Sequence, residues 1–347
     1  MIVTTPPTRG LCDALVAHFE EQGVAVSIWD ALVGEPTIAE FTAALEEARR
    51  FGADCLVGLG GGSAMDVAKL VAALFDGRQE IADVIGVDRL GGRALPLACV
   101  PTTSGTGSEV TPIAILEDEQ DELKKGVVSP HLVPDIACLD PQLTVSMPPA
   151  VTASTGLDAL THCIEAFANR FSHPMVDSFA LEGIRLIAGN LERAYHDGSD
   201  LAARAAMLRA SYYGGLCLGP VNTAAVHALA YPLGGQFHVP HGVANAVLLP
   251  HVLRFNVEVA ADRYAMVADA LGVARTGDNA RDAMAGIERI ERLSRACGVI
   301  GGMSAHGISS NAIPHMAAAA MTVTRLLERN LRVVTEEDAA RIYTAAL

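Results

Sequence analysis

Apolar and polar positions follow two rhythms in the first part of the chain. Ile2-Val-Thr4, Val24 to Trp29, Cys55-Leu-Val-Gly-Leu59, Leu95 to Val100 and Ile136-Ala-Cys-Leu139 are short apolar runs that read as strands. Between them Leu11 to Gln22, Thr37 to Arg50 and Ala64 to Phe75 repeat their apolar positions every three to four residues, as helices with one buried face do. This alternation predicts a parallel sheet covered by helices. Ala114 to Val128 is more polar and predicts a hairpin. The first strand opens with the first residues of the chain, so either the strand is short or an upstream segment is missing.

The texture changes at Met147-Pro-Pro149. Beyond it the helical period dominates over Val151 to Arg170, Pro174 to Asn190, Leu201 to Leu216 and Ala225 to Leu233. It continues over Val257 to Leu271, Ala280 to Cys297 and Ile313 to Leu327. The expected organisation is an α/β domain over residues 1–147 and an all-helical domain over 148–347. His227 to Asn256 is the one long stretch of the second half with a weak helical signal.

A chain of 347 residues is long enough for two domains. Half of it is hydrophobic and 19% is charged, which predicts a large buried core. The mean hydropathy of +0.31 is high. It comes from residues spread along the chain, and no run approaches the ~18 apolar residues of a membrane span. A net charge of −15 argues against a general nucleic-acid binder. The first residues lack the basic and apolar regions of a signal peptide. The seven cysteines are scattered and form no Cys-x-x-Cys, which fits reduced thiols in a cytoplasmic protein.

Two loops carry candidate chemistry in the first part. Gly58-Leu-Gly-Gly-Gly-Ser63 follows an apolar run and opens a helix, the setting in which free N–H groups meet a phosphate. Ser63 stands where the usual fingerprint has its last glycine, so a merely tight strand-to-helix turn fits equally well. Pro101-Thr-Thr-Ser-Gly-Thr-Gly-Ser-Glu109 adds five hydroxyls in one loop, which are costly to bury without a partner such as a phosphate or ribose. Two such loops at the carboxyl ends of two strands mark where a doubly wound sheet binds its ligand.

In the second part, Asp158 and His162 are four apart on a helical pattern and share a face. His227 lies in another helical stretch. His241, between Pro240 and Gly242, suggests a rigid turn. One carboxylate and three imidazoles suit Fe²⁺, Zn²⁺ or Mn²⁺ and leave room for a substrate oxygen. His18, His131, His173, His196, His251, His306 and His315 show no ligand-like spacing. His238 reads as exposed or as supporting His241, and Cys163 as packing. No Ser-His-Asp or catalytic cysteine pattern is present.

At these residues the chain resembles the iron-containing (group III, metal-dependent) alcohol dehydrogenase family. The likeness runs through Gly60-Gly-Gly-Ser-Ala-Met-Asp-Val-Ala-Lys69, Pro101-Thr-Thr-Ser-Gly-Thr-Gly-Ser108 and Asp140-Pro-Gln-Leu-Thr144. It continues in Gly156-Leu-Asp-Ala-Leu-Thr-His162, His227-Ala-Leu-Ala230, Pro240-His-Gly-Val-Ala-Asn-Ala246 and Val334-Thr-Glu-Glu-Asp338. It implies a dehydroquinate synthase-like fold: a Rossmann-like α/β dinucleotide-binding domain, a helical domain, and the active site in a cleft between them. The family's metal ligands fall on Asp158, His162, His227 and His241. Its pyrophosphate-binding residues fall on Gly61, Gly62 and Ser63. Its other cofactor contacts fall on Thr102, Thr103, Thr106 and Ser108, with a lysine at Lys124 and Asp66 beside the nicotinamide. The implied activity is hydride transfer between a small alcohol or aldehyde and NAD or NADP, with Fe²⁺ or alternatively Zn²⁺, in a homo-oligomer (a dimer or larger).

Three departures from that pattern stand out. Tyr231 replaces a second histidine that often follows the third ligand, and a phenol serves better as proton donor than as base at neutral pH. Thr5 replaces the aspartate that favours NAD, so no carboxylate repels a 2′-phosphate and NADP is admitted. Family members also carry a further segment before the first strand, and without it a looser sheet edge is expected. The opening Thr4-Thr-Pro6 resembles the maleylacetate reductase branch. That branch has Asn at the place of Asp158 and a different loop at 104–108, so the metal-dependent reading ranks ahead of it. A glycerol-dehydrogenase-like zinc enzyme and a metal- or nucleotide-binding protein without turnover are the remaining alternatives.

Overall fold

The structure, a computed structural model, describes residues 1–118 and 123–347. The chain divides into two compact units. One comprises Met1–Thr103 and Gly107–Thr144, the other Ser104–Thr106 and Val145–Leu347.

The first unit runs β1 (Ile2–Val3), α1 (Asp13–Glu21), β2 (Ile28–Trp29), α2 (Ile38–Phe51), β3 (Leu56–Gly60), α3 (Gly62–Leu74) and α4 (Ile81–Val84). Then follow β4 (Gly86–Val87), β5 (Leu97–Pro101), β6 (Ile113–Asp118), β7 (Leu123–Val128) and β8 (Ile136–Ala137). Five strands pair in parallel in the order β2-β1-β3-β5-β8. β3 lies in the middle with all five residues buried, which is why Leu56 to Gly60 is a continuous small and apolar run. The chain moves out from β1 to β2 and then returns to the other side of β1 for β3. That reversal is the switch point at which open parallel sheets take ligands. α2 starts where Thr37 Oγ1 accepts the Glu40 N–H (3.1 Å) while Glu40 Oε2 accepts the Thr37 N–H (2.9 Å).

Several expectations need correction. The strand expected over Val24 to Trp29 pairs only at Ile28–Trp29, because its partner β1 offers only Ile2 and Val3. β2 and β3 flank β1, and β2 is the outer strand. The helix expected from Leu11 begins at Asp13, after a 3₁₀ stretch Pro6–Cys12 started by two prolines. The hairpin expected within Ala114 to Val128 exists as β6 and β7, which join β4 in a second sheet. Residues 119–122, between those strands, lie outside the described residues.

The second unit is helical: α5 (Pro149–Phe167), α6 (Pro174–His196), α7 (Leu201–Leu218), α8 (Ala225–Phe237), α9 (His241–Ala270), α10 (Asn279–Ala296), α11 (Ile313–Ala320), α12 (Thr324–Leu327) and α13 (Glu336–Ala345). Every residue of α5 from Gly156 to Phe167 is buried, so this helix is the centre of the unit. Its entry is fixed by buried Arg204, which donates to Thr152 Oγ1 (2.8 Å), Gly198 O (3.0 Å) and Met147 O (3.3 Å). Cys163 packs against α6, where a Cβ on Gly183 would collide with its sulfur.

The weakly helical stretch His227 to Asn256 is in fact two helices, α8 and α9, separated at His238–Pro240. Gly234, Gly235, Pro232 and Pro250 depress its intrinsic helical signal, and burial of the flanking apolar residues overrides that. His241 sits at the start of a helix, not in an isolated turn. The segment Val257 to Leu271 continues α9 past a non-helical Ala260, and Ile313 to Leu327 breaks into α11 and α12. Among the described residues no helix is long and apolar enough to cross a membrane.

Candidate functional site

Three helices of the second unit bring four side chains together. α5 supplies Asp158 and His162 one turn apart, α8 supplies His227 in its first turn, and α9 begins with His241. The Nε2 atoms of His162, His227 and His241 lie 3.7, 3.5 and 3.6 Å from Asp158 Oδ1. Those separations are long for hydrogen bonds. They suit donor atoms arranged around a cation with bonds of ~2.0–2.2 Å. Asp158, His227 and His241 form the tightest set, each offering one ligand atom within 4.8 Å of the others. His162 stands beside them with its ring stacked on that of His227, centroids 4.8 Å apart.

Local sequence explains the placement. Pro240 caps α9, and Gly242 follows His241 where a Cβ would run into the Ser154 carbonyl of α5. Glycine therefore lets the start of α9 lie against α5 and sets His241 beside Asp158. Glu165, seven residues after Asp158 on the same helix, serves α8 with both oxygens. Oε1 accepts the Val226 N–H (2.6 Å), one of the amides a helix start leaves open. Oε2 is 2.6 Å from His227 Nδ1. Holding the proton on Nδ1 turns the lone pair of Nε2 inward, the usual support for a histidine that binds metal.

Asn245, one turn beyond His241 on α9, points its Nδ2 into the cluster, 2.7 Å from Asp158 Oδ1, 3.1 Å from His227 Nε2 and 3.2 Å from His241 Nε2. Neither Glu165 nor Asn245 stood out from sequence spacing alone. For Glu165 the available signal was a carboxylate at the helical interval from both Asp158 and His162.

Burial works to raise the Asp158 carboxyl, and in the metal-free protein the positive charge that His162, His241 and His227 carry when protonated, with a hydrogen bond from His227, holds it below the ordinary carboxylate range. Burial lowers the pKa of His162, so its ring is presented neutral, as a metal requires. At His227 burial disfavours a second proton while Asp158 and Glu165 favour one. Together those two carboxylates outweigh burial and raise the ring above its ordinary range. A cation held there would instead take the neutral ring, with the remaining proton on Nδ1 facing Glu165. An ionised carboxylate with neutral imidazoles is a donor set that fits Fe²⁺ or Zn²⁺.

The first unit holds the other expected residues. Gly61 caps α3, and Gly60 lets α3 turn directly off β3, since a Cβ there would lie 2.8 Å from that of Ala64. The opening N–H groups of α3, around Gly62 and Ser63, are what a phosphate would meet. Gly61 faces Thr103, whose side chain would be 3.4 Å from an added Cβ, so the loops after β3 and β5 lie side by side. Thr102 is buried and its N–H bonds Gly60 O (2.9 Å). Asp66 accepts from Ser108 Oγ (2.5 Å) and from the Ile115 N–H (2.9 Å). Both expected cofactor residues thus also pin the loop after β5 onto α3.

Thr5 follows β1, with its hydroxyl 2.8 Å from that of Thr8. Lys124, on β7, is paired with Glu35 at 3.2 Å. Thr106 is half-buried in the short segment that groups with the helical unit. Tyr231 is half-buried one turn after His227.

The chain matches two family models. "Iron-containing alcohol dehydrogenase" covers residues 1–141, and "Fe-containing alcohol dehydrogenase family, C-terminal" covers 152–347. It is 40% identical to long-chain-alcohol dehydrogenase 1 of Geobacillus thermodenitrificans, over all of this chain and 89% of that protein. Its fold is similar to the crystal structure of a 1,3-propanediol oxidoreductase, with TM-score 0.96 and 35% identity over 100% of this chain and 91% of that one. It is also similar to sulfoacetaldehyde reductase from Bifidobacterium kashiwanohense in complex with NAD⁺. There the TM-score is 0.90 and the identity 29%, over 99% of this chain and 90% of that one.

Proposed function

The chain belongs to the iron-containing alcohol dehydrogenase family, and from that premise we propose that it interconverts small alcohols and aldehydes with NAD(P) at a site built on Asp158, His162, His227 and His241. The observation that carries this reading is the convergence of Asp158, His227 and His241 on one point, with His162 stacked beside it. A divalent cation held there would supply Lewis acidity toward a hydroxyl or carbonyl oxygen, and a bound nicotinamide cofactor would supply the hydride chemistry.

The chain's own residues do the rest. Asp158 offsets the charge of the cation, and Glu165 keeps His227 in the tautomer that binds it. Tyr231, one turn from His227, offers a phenolic proton for the substrate oxygen. Gly61, Gly62 and Ser63 receive the pyrophosphate at the start of α3. Thr102, Thr103, Thr106 and Ser108 supply hydroxyls to the cofactor, and Asp66 and Lys124 flank it. Thr5 puts no carboxylate where it would repel a 2′-phosphate, which supports use of NADP as well as NAD. Residues 1–147 form the dinucleotide-binding part and 148–347 the metal-binding part. The activity is that of a cytoplasmic homo-oligomer.

The test is anaerobic purification with metal analysis, then NADH and NADPH oxidation with short aldehydes and with maleylacetate. Each assay is run before and after chelation and after adding back Fe²⁺ or Zn²⁺. Aldehyde reduction that is lost on chelation and restored by metal is expected. Reduction of maleylacetate alone, unaffected by chelation, would overturn the reading.

A further inference from the structure

Asn245 is fully buried, and the two ends of its amide are treated very differently. Nδ2 donates to Asp158 Oδ1 at 2.7 Å and lies 3.1 Å from His227 Nε2 and 3.2 Å from His241 Nε2, three close neighbours for only two protons. Oδ1 is buried and has no hydrogen-bond partner among the described residues. A buried side-chain amide ordinarily satisfies both ends. The orientation is not arbitrary, because the reverse one would set an amide oxygen 2.7 Å from a carboxylate oxygen with no proton between them. The lone pairs Nδ2 occupies are those of the tightest candidate ligand set. A lone pair given to an N–H is not available to a cation, so the amide and a metal compete for the same three atoms.

On the reading of this cluster as a metal cradle, we infer that Asn245 is a positioning residue that exchanges places with the metal. In the metal-free protein its N–H₂ group holds the converging acceptors together against their mutual repulsion. When a divalent cation enters, the amide nitrogen gives way and the side chain turns its unpaired oxygen toward the positive charge. The residue thereby keeps the cradle assembled before loading and gains a partner for Oδ1 on loading.

The experiment compares Asn245→Leu and Asn245→Asp with the wild type, using thermal melts of chelator-stripped and Co²⁺-loaded protein. Co²⁺ affinity is read by its visible absorption against a competing chelator. Leu keeps the branched shape, with methyl groups in place of the amide oxygen and nitrogen, and can neither donate nor accept. It should lower Tm of the stripped protein by roughly 3–8 °C and weaken Co²⁺ binding about tenfold. Asp supplies only oxygens. It should lower the stripped Tm as much as Leu does, yet bind Co²⁺ at least as tightly as the wild type.

That split between empty and loaded protein is not what a packing residue produces. Equal loss of Tm in both forms, with unchanged Co²⁺ affinity, overturns the role of Asn245 while leaving the cradle intact. Failure of the wild type to bind Co²⁺, Zn²⁺ or Fe²⁺ overturns the cradle itself. Should Leu not fold, Asn245→Ser, which retains a hydroxyl donor, must fall between Leu and the wild type in stripped Tm.

Discussion

At the scale of single residues, a metal cradle at Asp158, His162, His227 and His241 would depend on groups that hold its ligands as much as on the ligands. Glu165 bridges the Val226 amide and His227 Nδ1 at 2.6 Å each. Glu165→Gln should therefore fold but lose about 10- to 100-fold in metal affinity, measured by chelator competition. An unchanged affinity would remove Glu165 from the site. A second buried carboxyl behaves differently. Burial pushes Glu109 up to about 7, although Lys69 and its own backbone N–H work to lower it. An acid whose folded pKa lies above its unfolded value binds more protons folded than unfolded. It costs nothing below pH ~4.5, costs progressively more as pH rises toward 7, and reaches its full cost above that. Glu109→Gln should accordingly raise the melting temperature at pH 8 and change it little at pH 5, a gain of at most about 3 kcal/mol. Melts at the two pH values check it, and an equal effect at both would refute it.

At the scale of elements, the candidate ligands stand out because their spacing is local or their motif is strong. Asp158 and His162 share a helical face, and that face is visible in the sequence. The helix carrying His241 was not, since Gly and Pro residues mask a segment whose helicity comes from burial. Asn245 was missed for the same reason: without α9 there is no reason to read positions 241 and 245 as one turn apart on one face. β2 was overread because a strand is only as long as its partner, and no property of Val24 to Trp29 reveals that β1 pairs through two residues. Contact between α5 and α9 rests on Gly242. Gly242→Ala sets a methyl against the Ser154 carbonyl, so α9 must shift and take His241 with it. We expect a loss of about 1–3 kcal/mol together with weaker metal binding, seen as a lower Tm and faster metal loss to a chelator. A variant that melts lower but keeps its metal would separate packing from ligand placement.

At the scale of the whole molecule, the α/β-then-helical organisation could be read from the change of texture near Pro148, and the order of the strands could not. That order depends on which strand lies beside which, and in a parallel sheet the partners are distant in sequence. All four candidate metal ligands belong to the second unit. Stripping the metal should therefore speed amide hydrogen exchange in α5, α8 and the start of α9 while leaving β3, β5 and α3 unchanged, as read by mass spectrometry. Occupancy a hundredfold above Kd would stabilise by about 2.7 kcal/mol, enough to register there. A uniform change across both units would contradict the assignment.

The separation of Asp158 and Asn245 by 87 positions also bears on how the protein is made. On the ribosome α5 emerges first, with a buried carboxylate and an imidazole on one face and nothing to complete them. α8 adds a third group, and only when α9 has been synthesised and has docked does the pocket close. A cation held by these residues would thus be acquired only after α9 has been made, and a growing peptide that stops short of it would offer passing metals only a partial chelate.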